Sequence, residues 1–157
     1  MLFEFGQYKI DVDVERTLVF YESAPIISEA CSCAGCRNYE RAVEALPNEV
    51  RCFFEKLGVD MKKAREVYVY CKNADGTLFY GGFYHICGVV LAGESAFVPA
   101  PTSGYFWDAE KAFALTDSFA VSIREECFLL EDDFPIPALQ IDISANIPWV
   151  LAEMNGY

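Results

Sequence analysis

The sequence is poor in basic side chains and contains a single histidine, His85. It has 12 lysines and arginines against 24 aspartates and glutamates among 157 residues, so its net charge is −12. Nucleic acids and anionic lipids are bound by concentrated Lys and Arg, and the balance therefore argues against both as partners. A signal peptide is not recognisable at the N-terminus, and the longest uncharged run, residues 77–93, is too short to span a bilayer. These features predict a cytoplasmic protein.

Several common functional motifs are also missing. The chain has no phosphate-binding P-loop, no glycine-rich dinucleotide motif and no HExxH zinc motif.

Its apolar content of 54% and aromatic content of 15% exclude a disordered chain, which would be poor in both. The length suits one domain over residues 1–157. A helical part is expected at about 13–64, followed by a mainly β part at about 66–151.

The first half of the chain shows helical spacing of its apolar residues. Asp13 is typical of a helix N-cap, and Pro25 is expected to end that helix. A second helix is predicted from residue 35 to 46. A third is predicted from Pro47 up to Gly58, which is the residue type that commonly ends a helix. Residues 2–12 alternate irregularly and are predicted to form one strand bent at a glycine.

The second half alternates as β-strands do. Residues 66–72 and 77–91 flank Asp75-Gly76, a pair typical of tight hairpin turns. Residues 98–104 are predicted to form a loop, and further strands are expected at 118–125 and 138–144. Early helices and late strands predict an α+β fold in which N-terminal helices pack on a mainly antiparallel sheet.

The feature with the most chemical content is a cluster of three cysteines, Cys31, Cys33 and Cys36, at a predicted helix start. Soft thiolates bind zinc, copper(I) or iron–sulfur clusters, and a Cys₃His zinc site needs one imidazole in addition. His85 is the one histidine that can supply it. The leading hypothesis is therefore a thiol-rich zinc site of Cys31, Cys33, Cys36 and His85, with a structural or sensing role rather than a catalytic one.

Other interpretations of the same residues stay open. Cys36 falls on the apolar stripe of its helix, so the cysteines are alternatively simple packing or surface thiols. His85 shares a strand face with Phe83, which is typical of a core histidine. Cys33 and Cys36 also form a CxxC pair at a helix N-terminus, which suggests a thiol redox enzyme, although the preceding apolar segment is too short for the strand that such motifs follow.

A further alternative gives the cysteines no function. An acidic chain is suited to a basic protein partner, or the chain forms a homodimer, through an exposed apolar patch in the region 99–107. The acidic stretch 131–133 is interpreted as a solvated edge.

The chain as a whole resembles an uncharacterised family of bacterial cytosolic proteins. The cysteine block and the YGGxxH segment are the most specific parts of the resemblance. The resemblance implies a single bacterial cytosolic domain and assigns no catalytic residue. It is carried by Asp11-Val-Asp-Val14, Cys31-Ser-Cys-Ala-Gly-Cys-Arg-Asn-Tyr39, Leu57-Gly-Val-Asp60, Tyr80-Gly-Gly-Phe-Tyr-His85, and Leu139-Gln-Ile with Ile147-Pro-Trp-Val-Leu151.

Overall fold

Four α-helices and nine strands make up the computed structural model, which describes residues 1–157. Two short 3₁₀ segments, Val43–Ala45 and Met61–Lys63, extend the helical part. The α+β prediction is confirmed. The elements are β1 (Leu2–Phe5), β2 (Tyr8–Val12), α1 (Val14–Ser23), α2 (Ile27–Ala30), α3 (Ala34–Ala42), α4 (Asn48–Lys56), β3 (Glu66–Lys72), β4 (Leu78–Ala92), β5 (Phe97–Pro99), β6 (Tyr105–Trp107), β7 (Phe113–Thr116), β8 (Phe119–Arg124) and β9 (Ala138–Ile147).

The N-terminal residues form a hairpin instead of one bent strand. Gly6 adopts φ +53°, a left-handed conformation that reverses the chain so that β1 and β2 pair antiparallel. The prediction was wrong because irregular alternation fits either a kink or a reversal. Only the pairing of Phe3 with Ile10 distinguishes the two.

The helices begin and end close to where the capping residues predict. The Asp13 carboxylate accepts a hydrogen bond from the Arg16 backbone N–H at 3.0 Å and caps α1. Beyond α4, Gly58 adopts φ +79°, which terminates the helix in the left-handed region. The helix predicted over residues 35–46 ends earlier than expected, because its last turn tightens into the 3₁₀ segment Val43–Ala45.

Strand β4 organises the main sheet, whose order is β1-β2-β4-β9-β8-β7 with β3 also paired to β4. Its first half pairs with β3 and its last residues pair with β2, while β9 runs along its other side. Between the ends of β3 and β2, the Tyr21 hydroxyl donates to the His85 carbonyl oxygen at 3.0 Å and accepts from the His85 N–H at 3.2 Å. A side chain of α1 therefore fills the gap in the hydrogen-bonded edge of β4.

The hydrophobic core lies between the helices and one face of this sheet. Phe54 of α4 is fully buried and packs its ring 4.9 Å from that of Tyr84 on β4. The Tyr84 hydroxyl lies 2.8 Å from the Tyr39 hydroxyl and donates to the Met61 carbonyl oxygen at 2.9 Å. Because side chains alternate along a strand, residues 83, 85 and 87 of β4 point to the opposite face.

The loop predicted at 98–104 is shorter in the structure, because it connects two short strands that form a second, two-stranded sheet. β5 pairs with β6, and only the connecting residues 100–104 are irregular. Tyr105 and Phe106 in β6 are 65% and 50% exposed. None of the helices combines the length and the apolar character that crossing a membrane requires.

Candidate functional site

The three clustered cysteines converge at the start of α3. Cys31 follows α2, Cys33 is the N-cap of α3, and Cys36 lies in its first turn. Their sulfur atoms all lie within 4.8 Å of one another. Three sulfur ligands around one zinc ion, each at about 2.3 Å, are separated by about 3.8 Å, so small side-chain movements are enough to reach coordination. We call these residues the thiol loop.

Cys33 is an exposed member of the thiol loop whose pKa is lowered. Its sulfur accepts a hydrogen bond from the Cys36 backbone N–H at 3.5 Å. Partial burial acts to raise the pKa of Cys33, but the Cys36 N–H, followed by the thiols of Cys31 and Cys36, outweighs it and lowers that pKa below its ordinary value. The thiolate form is therefore stabilised at a position that solvent reaches.

Cys36 has the opposite environment. Its side chain is buried against β3, and its sulfur lies 3.9 Å from the Val67 carbonyl oxygen. Burial raises the pKa of Cys36 first, and the neighbouring Cys31 and Cys33 raise it further. An exposed thiol of lowered pKa therefore lies beside a buried thiol of raised pKa.

Polar side chains fix the backbone of the thiol loop. The Tyr80 hydroxyl donates to the Gly35 carbonyl oxygen at 2.7 Å, and Arg37 Nε donates to the Ser32 carbonyl oxygen at 3.0 Å. Asn38 is fully buried, and its Nδ2 donates to the Tyr80 hydroxyl at 3.3 Å. The sequence pattern does not mark Asn38 for this role, because a polar residue inside a helix shows no periodicity of its own.

The structure does not bring His85 into this group of mutually close ligand atoms. Its imidazole is only 2% exposed and projects from the sheet face opposite the helices, since Tyr84 and Ile86 point into the core. Nδ1 lies 3.5 Å from Glu131 Oε2, and the ring packs 5.6 Å from that of Phe134. The fourth ligand expected from His85 is therefore absent from the cysteine group.

A network of buried charges surrounds the same sheet face. Asp142 on β9 is 2% exposed, and Oδ2 lies 2.8 Å from Arg124 Nε while Oδ1 accepts from Arg124 Nη2 at 3.0 Å. Gln140 Nε2 donates to Asp142 Oδ1 at 2.6 Å. Glu131, expected in a solvated acidic stretch, is partly buried next to His85. Gln140 and Asp142 alternate with aliphatic residues along β9, so the sequence indicates that they point to the face opposite the helices. The sequence does not indicate that they are buried, because their burial depends on the segment that covers this face.

A cleft of about 260 Å³ opens beside two of the thiols. Cys31 and Cys36 form one part of its lining, and aliphatic residues such as Ile27 and Val67 form most of the rest. Lys63, Arg65 and two glutamates surround these apolar walls. The cleft therefore places an apolar pocket next to two residues of the thiol loop.

Chemically, the thiol loop is suited to binding a soft metal ion or to exchanging disulfides. Both processes use a thiolate, and the lowered pKa of Cys33 favours that form. The chain matches no protein-family model, no curated protein and no solved structure at a significant level.

Proposed function

We propose that Cys31, Cys33 and Cys36 bind one transition-metal ion, with zinc as the first candidate, in a structural or sensing role. The observation that supports this proposal is the convergence of three sulfur atoms within 4.8 Å at a helix N-terminus. Thiolates are the ligands that zinc and copper(I) prefer. Such a bound ion would fix the connection between α2 and the first turn of α3.

The environment of the thiols favours this chemistry. A metal ion binds the deprotonated thiol, and the lowered pKa of Cys33 favours that form at an exposed position. Cys36 has to lose its proton on binding, so affinity is expected to rise with pH. With three protein ligands in the group, the fourth coordination position is open to water or an added ligand.

Metal analysis of the untagged, reduced protein tests the proposal. After incubation with zinc and removal of free ions, we expect about one equivalent per chain. A triple Cys31→Ser, Cys33→Ser, Cys36→Ser variant is expected to lose it, and the matched control Cys71→Ser, at an exposed strand position, is expected to retain it. Less than about a tenth of an equivalent in the wild type would contradict metal binding.

A second measurement links binding to stability. An ion that binds only the folded chain stabilises it by RT ln(1 + [L]/Kd), about 2.7 kcal/mol at a free concentration 100 times Kd. The midpoint of thermal unfolding is therefore expected to rise with zinc and to return after chelation. The triple serine variant should show no zinc-dependent rise.

The contrast between Cys33 and Cys36 favours thiol–disulfide exchange as a second candidate function. In this reaction the Cys33 thiolate attacks one sulfur of a substrate disulfide, and the other substrate sulfur leaves as a thiolate that takes up a proton. Cys36, after losing its proton, then attacks the mixed disulfide, which forms the Cys33–Cys36 disulfide and releases the reduced substrate. The substrate disulfide is the oxidant, and the two cysteines supply both electrons.

Oxidised glutathione is a suitable probe of this candidate. We expect Cys33→Ser to abolish formation of the mixed disulfide, whereas Cys36→Ser should trap it. If both single variants form mixed disulfides at the rate of the control Cys71→Ser, the exchange function is wrong.

One observation also favours an interaction module as an alternative. Tyr105 and Phe106 expose large aromatic surfaces in the region 99–107. Light scattering of the wild type and of a Tyr105→Ser, Phe106→Ser variant tests self-association through this hairpin. A monomeric wild type would refute the homodimer.

The sequence resemblance also bears on where the protein comes from. From the resemblance to an uncharacterised bacterial family we propose a bacterial, cytoplasmic origin, because a reducing cytoplasm would keep the cysteines of such a site as thiols. All seven cysteines are free in the structure.

A further inference from the structure

We propose that a cavity between α1 and α4 binds a free α-amino acid with an aliphatic side chain. This cavity, which we call the α1–α4 cavity, shares no residue with the thiol loop, so the proposal goes beyond the function proposed above. Its volume of about 440 Å³ is within the range of small-molecule sites in proteins. Its walls are the two helices, the two 3₁₀ segments and residues 58–60.

The floor of the α1–α4 cavity is apolar. Val43, Val59 and Met61 line it and are buried in the core. Leu18 on α1 also lines the cavity, but its side chain is 51% exposed. Apolar surface is therefore left for the side chain of a ligand to cover, and removal of that surface from water favours binding.

Two charged side chains of α4 line the same cavity without neutralising each other. Arg51 and Glu55 are one helical turn apart, a spacing that places Cβ atoms about 5–6 Å from each other. Neither residue takes part in any of the ion pairs of the chain. Arg51 Nε donates to the Leu46 carbonyl oxygen at 3.1 Å, which holds the guanidinium in place and leaves its two terminal nitrogens free.

An α-amino acid is complementary to this pair of charges. Its carboxylate and its ammonium group are attached to one carbon atom, so one ligand can contact two opposite charges that are one helical turn apart. The planar guanidinium of Arg51 can donate two parallel hydrogen bonds to the ligand carboxylate, and Glu55 can accept from the ammonium group. The aliphatic side chain of the ligand then covers the apolar floor.

The other charged residues around the cavity also favour a ligand that carries both signs. Lys62 and Glu44 form an ion pair and neutralise each other. Lys63 Nζ donates to backbone carbonyl oxygens in the last turn of α1 and has no carboxylate partner, whereas Glu22 and Asp60 have no cationic partner. A ligand with a single charge would leave one of these signs unmatched.

Chemical shifts of the backbone amides test binding, with L-leucine as the probe. We expect a saturable shift of the Val59 amide at leucine concentrations below about 10 mM. The Gly76 amide, in a turn outside the cavity, is the internal reference and should not shift. A Val59 amide that shows no saturable shift in this range would overturn the proposal.

Two analogues of leucine test the assignment of the charges. Leucinamide replaces the carboxylate by a neutral amide, and 4-methylpentanoate lacks the ammonium group. Each should bind at least about tenfold more weakly than leucine, because it loses hydrogen bonds between charged groups. A smaller loss for either analogue would refute recognition of an amino acid.

Substitutions on α4 locate the site. Glu55 contributes to the hydrogen bonds of the fold through its backbone, so Glu55→Gln should fold normally and bind leucine at least about tenfold more weakly. Arg51→Gln should show the same loss, once thermal unfolding verifies that it is folded without the bond to Leu46. The matched control Lys56→Gln, at an exposed position of the same helix outside the cavity, should bind as the wild type does. If Glu55→Gln binds leucine as tightly as Lys56→Gln does, the site is wrong.

Discussion

Replacing Arg124 by alanine tests the buried charge network most directly. The Asp142 carboxylate is 2% exposed and is held by two contacts from the Arg124 guanidinium, at 2.8 and 3.0 Å. The same guanidinium packs 4.5 Å from the ring centre of Phe128. Arg124→Ala removes the charge partner and this packing while the carboxylate stays buried.

The expected loss in the free energy of unfolding is about 3–5 kcal/mol at pH 7, the range for a buried ion pair that loses one partner. The lower end applies here, because Gln140 Nε2 still donates to Asp142 at 2.6 Å. Burial raises the pKa of Asp142, and Arg124 followed by Gln140 opposes that rise. Without Arg124 the pKa in the folded protein should rise further.

The direction of the pH dependence follows from that rise. A carboxyl group with a higher pKa in the folded than in the unfolded state destabilises the fold when ionised, and the penalty disappears as pH falls and the folded form takes up the proton. Arg124→Ala should therefore recover part of its loss between pH 7 and pH 5 relative to the wild type. An Arg124→Ala, Asp142→Asn double variant should show no such recovery.

Urea unfolding at both pH values measures these changes. Lys62→Ala is the matched control, because its ion pair with Glu44 is exposed and is expected to contribute little to stability. A loss below about 1 kcal/mol in Arg124→Ala, or an equal loss at pH 7 and pH 5, would refute the reasoning.

The remaining predictions concern the scaffold and are measured by the same urea unfolding. Phe54→Ala should lower the free energy of unfolding by about 3–5 kcal/mol because its ring is fully buried, and a loss under 1 kcal/mol would contradict this packing. Gly58→Ala should cost about 1–3 kcal/mol, since φ is +79° and the new Cβ would lie 2.7 Å from the Val14 carbonyl oxygen; an unchanged midpoint would count against the geometry. Asp13→Ala removes the hydrogen bond to Arg16 and should cost about 1 kcal/mol, whereas Asp13→Asn, which retains the cap, should be close to neutral.

Local sequence signals predicted most of the regular structure. Asp13, Gly58 and the Asp75-Gly76 turn act through their own backbone and nearest neighbours, and the structure places a helix start, a helix end and a hairpin there. The alternating pattern of β3 likewise needs only the pleat of a strand. These features are short-range, so a single sequence contains enough information to predict them.

The short strands were harder to predict. β5, β6 and β7 contain three or four residues each, too few to establish an alternating pattern. The reversal at Gly6 shows the same difficulty, because its partner strand and not its composition distinguishes a hairpin from a kink.

For the site, the sequence by itself determined that three thiols meet at a helix start. Cys31, Cys33 and Cys36 are so close along the chain that almost any fold with a helix there brings their sulfurs together. Only the tertiary structure decided which face of β4 carries His85, that Glu131 is its neighbour, and that Tyr157 lies against the thiol loop. Those contacts join residues far apart in the chain, and their geometry depends on sheet register and on how the last residues pack.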